Sequence, residues 1–69
     1  MQKNIKEVIE EYADMVYRIA ITRCKNVENA EDIFQEVFIK YSRRSPNFQT
    51  KEHEKAWLIR VTINLTKNL

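Results

Sequence analysis

Glycine is absent from the chain and proline occurs once, at Pro46. Tight hairpin turns draw on glycine for positive φ, so its absence argues against β-hairpins and for helices joined by short polar links. Cysteine also occurs once, at Cys24, which excludes an internal disulfide, and with a single histidine, His53, no metal-ligand cluster is available. Both features suit the reducing cytoplasm, which is the expected location. No apolar run reaches the length of a membrane span, and the N-terminus has no signal-peptide pattern, so membrane insertion is not expected. No nucleophile with a partnered base is visible. His53 reads as an exposed loop or helix-start residue and Cys24 as a buried residue at the end of a helix. Neither an enzyme nor a cofactor is expected.

What is present is a small, charged, helix-forming chain. Its 69 residues are 43% hydrophobic and 32% charged, which fits one globular domain with a marginal core rather than a disordered segment. The net charge of +2 is unevenly spread. Residues 1–36 carry five Lys/Arg against eight Asp/Glu, a net −3, and residues 37–69 carry seven against two, a net +5. An acidic half and a basic half suggest two different partners, the basic one a nucleic acid.

Apolar periodicity predicts three helices in an all-α bundle. In the first, from Asn4 to about Lys25, the residues Ile5, Val8, Ile9, Tyr12, Met15, Val16, Ile19 and Ala20 recur at i, i+3, i+4. Its start is acidic and its end basic, as the helix dipole favours. Asn29 is the expected cap of the second helix, with Glu31 and Asp32 in its first turn, and that helix runs to about Arg43. Ser45, Pro46 and Asn47 break it, since proline lacks an amide hydrogen and disfavours helix in the residue before it. A polar loop with one aromatic, Phe48, leads to a third helix from about Lys51 to the end.

The second helix has two usable faces. Ala30, Ile33, Phe34, Val37, Phe38 and Tyr41 define a core stripe. The opposite stripe is Asp32, Gln35, Glu36 and Ile39, again at i, i+3, i+4, i+7. An acidic and amide rim around an exposed branched aliphatic has the make-up of a protein-docking surface, although an isolated surface isoleucine is also common. On the third helix, Leu58, Leu65 and Leu69 cluster, with Thr62, Thr66, Ile59 and Ile63 extending that side. Arg60, Asn64, Lys67 and Asn68 fall on the other side with Trp57 among them. Arg and Lys neutralise phosphates, Asn reads base edges, and a tryptophan stacks on a base, so this stripe is a candidate nucleic-acid face. The alternative is that Trp57 packs against another helix and the polar stripe is only solvated.

The run Ala30-Glu31-Asp32-Ile33-Phe34-Gln35-Glu36-Val37-Phe38, the Pro-and-Phe loop, and the run Lys55-Ala56-Trp57-Leu58-Ile59-Arg60-Val61-Thr62-Ile63-Asn64-Leu65 together resemble region 2 of extracytoplasmic-function (ECF) sigma factors. These are dissociable specificity subunits of bacterial RNA polymerase. The resemblance spans nearly the whole chain, so 1–69 is expected to be a single region 2 domain of three main helices. It implies that Asp32, Gln35 and Glu36 dock on the clamp coiled coil of the polymerase β′ subunit, with Ile39 added by the stripe argument. It implies that the loop from about Ser45 to Glu54 helps capture an unpaired base of the promoter −10 element on the non-template strand, with Phe48 as the stacking partner. It also implies that Arg60, Asn64 and Asn68, with Trp57 and Lys67, contact the upstream edge of that element. An anti-sigma factor is a plausible further partner.

Departures from the family pattern are visible. Many members carry a basic residue where Ile63 stands and an apolar one where Glu54 stands. The family's second domain, a helix-turn-helix reading the −35 element, is not in the 69 residues, as expected of an excised or truncated domain. Two other readings are a helical adaptor that uses only the second-helix face and a double-stranded DNA binder of helix-turn-helix type. The connection between the second and third helices looks too long for the latter, whose turn has about 3–4 residues.

Overall fold

The computed structural model describes residues 4–44 and 48–67. Three helices run α1 Ile5–Cys24, α2 Val27–Arg44 and α3 Lys51–Thr66, with no strand among the described residues, so the all-α expectation holds. The helix-breaking role read for Ser45, Pro46 and Asn47 lies outside the described residues, as do Asn68 and Leu69.

Each helix start has a side-chain cap. The Asn4 side-chain oxygen accepts from the Glu7 amide at 2.9 Å and starts α1. At the other end Lys25 takes the left-handed conformation (φ 56°, ψ 29°), and its amide donates to the Ile21 carbonyl at 2.8 Å. This terminator is ordinarily a glycine; here a lysine bears the steric cost of its Cβ. The next cap is Asn26, not Asn29 as the sequence suggested. The Asn26 side chain accepts from the Asn29 amide at 3.0 Å, and its carbonyl accepts from Ala30 at 2.9 Å. Both asparagines are competent caps. Choosing the earlier one adds most of a turn to α2 and puts Glu28 rather than Glu31 in its first turn, where the dipole favours an acid. Thr50 caps α3 by accepting from the His53 amide at 3.0 Å.

The two-residue α1–α2 link makes an antiparallel pair, and α3 then runs back alongside both. The core is the seam of the three apolar stripes: Val8, Tyr12, Val16 and Ala20 from α1, Ala30, Ile33, Val37, Phe38 and Tyr41 from α2, and Leu58 from α3. The predicted stripes of α1 and α2 therefore face inward, with Phe34 partly buried beside them and Ile5 left exposed at the end of α1. Cys24 is only half-buried, because it is the last residue of α1 and the bundle thins there. Thr62 is fully buried, and its hydroxyl is satisfied by donating to the Leu58 carbonyl at 2.6 Å. Arg23 Nε donates to Thr66 Oγ1 at 2.7 Å and joins the ends of α1 and α3. Lys51 pairs with Glu11 at 3.3 Å across the other end of the same two helices, an exposed contact worth at most about 1 kcal/mol.

Candidate interaction surfaces

The outward face of α2 is built as its spacing requires. Core residues Ala30, Ile33, Val37 and Tyr41 fix the helix rotation, and this turns Ile39 to the side away from the core. Ile39 is 40% exposed, one of the few large apolar side chains left open. Asp32 and Gln35 are exposed beside it and Glu36 is half-buried. The early start of α2 adds Glu28, exposed and one turn before Asp32, ahead of the Asn29 cap expected from the sequence. The signal that could have found it is Asn26, a second capping residue three positions ahead of Asn29. Gln35 also borders an open groove of about 600 Å³ between α1 and α2. Tyr17 and Phe34, in edge-to-face contact at 6.4 Å, lie along it, and Asp14, Arg18 and Glu31 line it too.

On α3, Arg60, Asn64 and Lys67 are all exposed, with Arg60 and Asn64 one turn apart and Lys67 at the helix C-cap. Asn68 lies outside the described residues. Trp57 and Phe48 are not free-standing rings. Both are partly buried against the core. Phe48 sits 5.8 Å from Trp57, 6.1 Å from Tyr41 and 5.3 Å from His53, and Trp57 is edge-on to Tyr41 at 6.0 Å. The four rings form one cluster where the loop rejoins α3. Of the two readings open for Trp57, packing against another helix describes its position, with its edge adjoining the polar stripe.

Beneath this cluster lies a group that the sequence reading noted only as a departure. Glu54 is 6% exposed, and its carboxylate accepts a hydrogen bond of 2.6 Å from the Tyr41 hydroxyl. That length is usual for a hydroxyl donating to a carboxylate. Burying a carboxylate without partners would be prohibitive, and here the Tyr41 O–H and the N-terminal turn of α3 both stabilise it. The signal in the sequence was Glu54 falling one turn before Leu58, on the apolar side of the α3 wheel.

Among the described residues, no group of three His, Cys, Asp or Glu side chains could hold a metal ion, and no helix is long and apolar enough to cross a membrane. The bundle thus presents an acid-rimmed aliphatic face on one helix and a basic, amide-bearing strip on the next.

The chain belongs to the sigma-70 region 2 family, whose profile matches residues 8–69. It is 42% identical over 59 residues to ECF RNA polymerase sigma factor SigE of Mycolicibacterium smegmatis, covering 86% of this chain and 23% of that protein. It is 32% identical over 65 residues to ECF RNA polymerase sigma factor SigW of Bacillus subtilis, covering 94% of this chain and 35% of that protein. The chain thus spans only 23% and 35% of the length of these two curated relatives. No solved structure gives a significant match. The resemblance carried by the Asp-x-x-Gln-Glu and Ala-Trp-Leu runs is therefore sound, and the family is one of transcription-initiation factors without enzymatic activity.

Proposed function

We propose that this domain docks on the β′ clamp coiled coil of RNA polymerase through Asp32, Gln35, Glu36 and Ile39, and holds the non-template strand of the melted −10 element through α3 and the loop before it. The observation that carries the reading is Ile39, open on the side of α2 away from the core and rimmed by acid and amide groups, in a chain of this family. Against a basic partner, the acids chiefly set orientation and on-rate, while covering Ile39 supplies much of the affinity. On α3, Arg60 and Lys67 neutralise phosphates and Asn64 reaches a base edge. Phe48 and Trp57, both only partly buried, offer a base stacking worth roughly 1–3 kcal/mol, which helps offset the duplex stacking lost on melting. An anti-sigma factor would act by covering either face. No covalent step is involved.

The test is a pair of binding measurements on the same protein. The chain should bind the isolated β′ coiled coil, and it should bind single-stranded −10 oligonucleotides weakly and in a salt-sensitive manner. Binding to the coiled coil with no binding to either single-stranded or duplex oligonucleotides would favour the adaptor reading, in which α2 works alone. The mutual packing of Phe48 and Trp57, which leaves only part of each ring open, is the observation on that side.

A further inference from the structure

We infer that Glu54 is a positioning residue: its bond to Tyr41 latches the two feet of the α2–α3 loop together and holds the Phe48–Trp57 ring cluster in the geometry that the strand-binding face uses. Tyr41 stands in the last turns of α2, and Glu54 stands in the first turn of α3. Their 2.6 Å bond therefore bridges residues thirteen apart in sequence, at the points where the loop leaves one helix and joins the next. Tyr41 is also the ring that both Phe48 and Trp57 pack against, at 6.1 and 6.0 Å. A hydroxyl fixed by a buried carboxylate pins the orientation of Tyr41, and the other rings are stacked on that reference.

An apolar side chain at 54 would fill the site without the cost of burying a charge. A directional bond adds what an apolar contact does not, a defined angle and distance between the helix ends. Loops of this kind are otherwise the first segments to open, since few buried contacts hold them. The inference rests on the proposed nucleic-acid role of the loop only for its purpose. The latch itself is a property of the fold.

The experiment is amide hydrogen exchange with fluorescence anisotropy on the whole chain and three variants, Tyr41→Phe, Glu54→Gln and Glu54→Leu. Tyr41→Phe takes a hydroxyl away from a buried carboxylate and is the more disturbing change, whereas Glu54→Leu removes the bond and the charge together and disturbs folding least. It should speed exchange of the hydrogen-bonded amides of His53 and Glu54 roughly fivefold, the loss expected for one buried hydrogen bond, and that of the amides of Val8 to Ala20 by less. Its affinity for a single-stranded −10 oligonucleotide should fall by a similar factor. Tyr41→Phe should loosen the same amides and lower overall stability further. Glu54→Gln keeps a carbonyl acceptor for the Tyr41 hydroxyl and should restore most of both properties. Equal acceleration in α1 and at these two amides would mean that the bond contributes only to global stability, and that result overturns the inference. Selective loosening of His53 and Glu54 with unchanged oligonucleotide affinity overturns it as well. If the parent does not bind the oligonucleotide at all, the nucleic-acid reading falls, and the exchange pattern alone still decides the latch.

Discussion

Replacing Ile39 by alanine tests the docking face with limited interference from folding. The side chain is 40% exposed on the side of α2 away from Val37 and Tyr41, so its outer part contributes little to the bundle. An isoleucine side chain presents on the order of 150 Å² of apolar surface; the open share is then about 60 Å², worth roughly 1.5 kcal/mol when a partner covers it. Alanine retains only part of that, so the dissociation constant for the β′ coiled coil should rise about five- to tenfold. Folding stability should fall by about 1–2 kcal/mol at most, since about 90 Å² of the side chain is already covered in the bundle. Alanine gains a few tenths of a kcal/mol in helix propensity, which offsets part of that loss. Titration of the labelled coiled coil, paired with thermal unfolding of each variant, separates the two quantities. An unchanged dissociation constant in a folded variant refutes the docking role of Ile39. A fall in melting temperature beyond that range would instead mean that Ile39 is a core residue.

Three further outcomes are expected. The double change Gln35→Ala with Glu36→Ala should weaken binding to the coiled coil, chiefly through a slower on-rate that high salt conceals, and leave far-ultraviolet circular dichroism unchanged. Arg60→Ala and Lys67→Ala should each weaken single-strand binding for every sequence and flatten its logarithmic salt dependence by about 0.7 per lost phosphate contact. Asn64→Ala should leave that slope alone and reduce the preference for −10 sequences, so equal effects of all three changes in anisotropy would remove the distinction between phosphate and base contacts. Lys25→Gly should stabilise the domain by about 0.5–1 kcal/mol, because glycine takes the left-handed C-terminal position of α1 without steric cost; calorimetry should show the midpoint rising by several degrees.

Helices α1 and α2 were legible because each carries an apolar stripe that repeats along its length, and periodicity survives errors at the ends; α3, whose buried face sets Leu58 between Glu54 and Thr62, is the least clearly striped of the three. The ends were less legible. Asn26 and Asn29 have the same chemistry and stand three residues apart, so either could begin α2. The choice turns on how much helix the α1–α2 packing can support, a tertiary quantity. The left-handed Lys25 was invisible for a related reason: the rule that helices stop at glycine has nothing to act on in a chain without it, and the stop fell on a residue with no such preference.

The same division runs through the surfaces. The α2 stripe and the exposed trio Arg60, Asn64 and Lys67 follow from helical geometry alone, since a residue opposite a known core stripe must face solvent in a three-helix bundle. The ring cluster does not follow from geometry of that kind. Where Phe48 lands depends on the path of the loop, and where Trp57 lands depends on how far α3 rolls toward α2; a wheel at 100° per residue fixes neither. Glu54 is the instructive residue. Its place on the apolar side of α3 was readable, yet sequence reasoning treats a charged residue on such a face as a boundary error, because an unpartnered buried carboxylate is too costly to expect. The cost falls when Tyr41, thirteen residues earlier and on another helix, supplies a hydroxyl at 2.6 Å, and when the N-terminal turn of α3 adds its dipole. Tyr41 in turn read as plain core, since its ring follows the stripe and its oxygen carries no weight in a hydrophobic pattern. Two residues that each look slightly wrong or merely ordinary become consistent as a pair. Buried glutamate and buried tyrosine one helix apart therefore form a pattern to look for together, at the feet of a loop whose geometry has to be held.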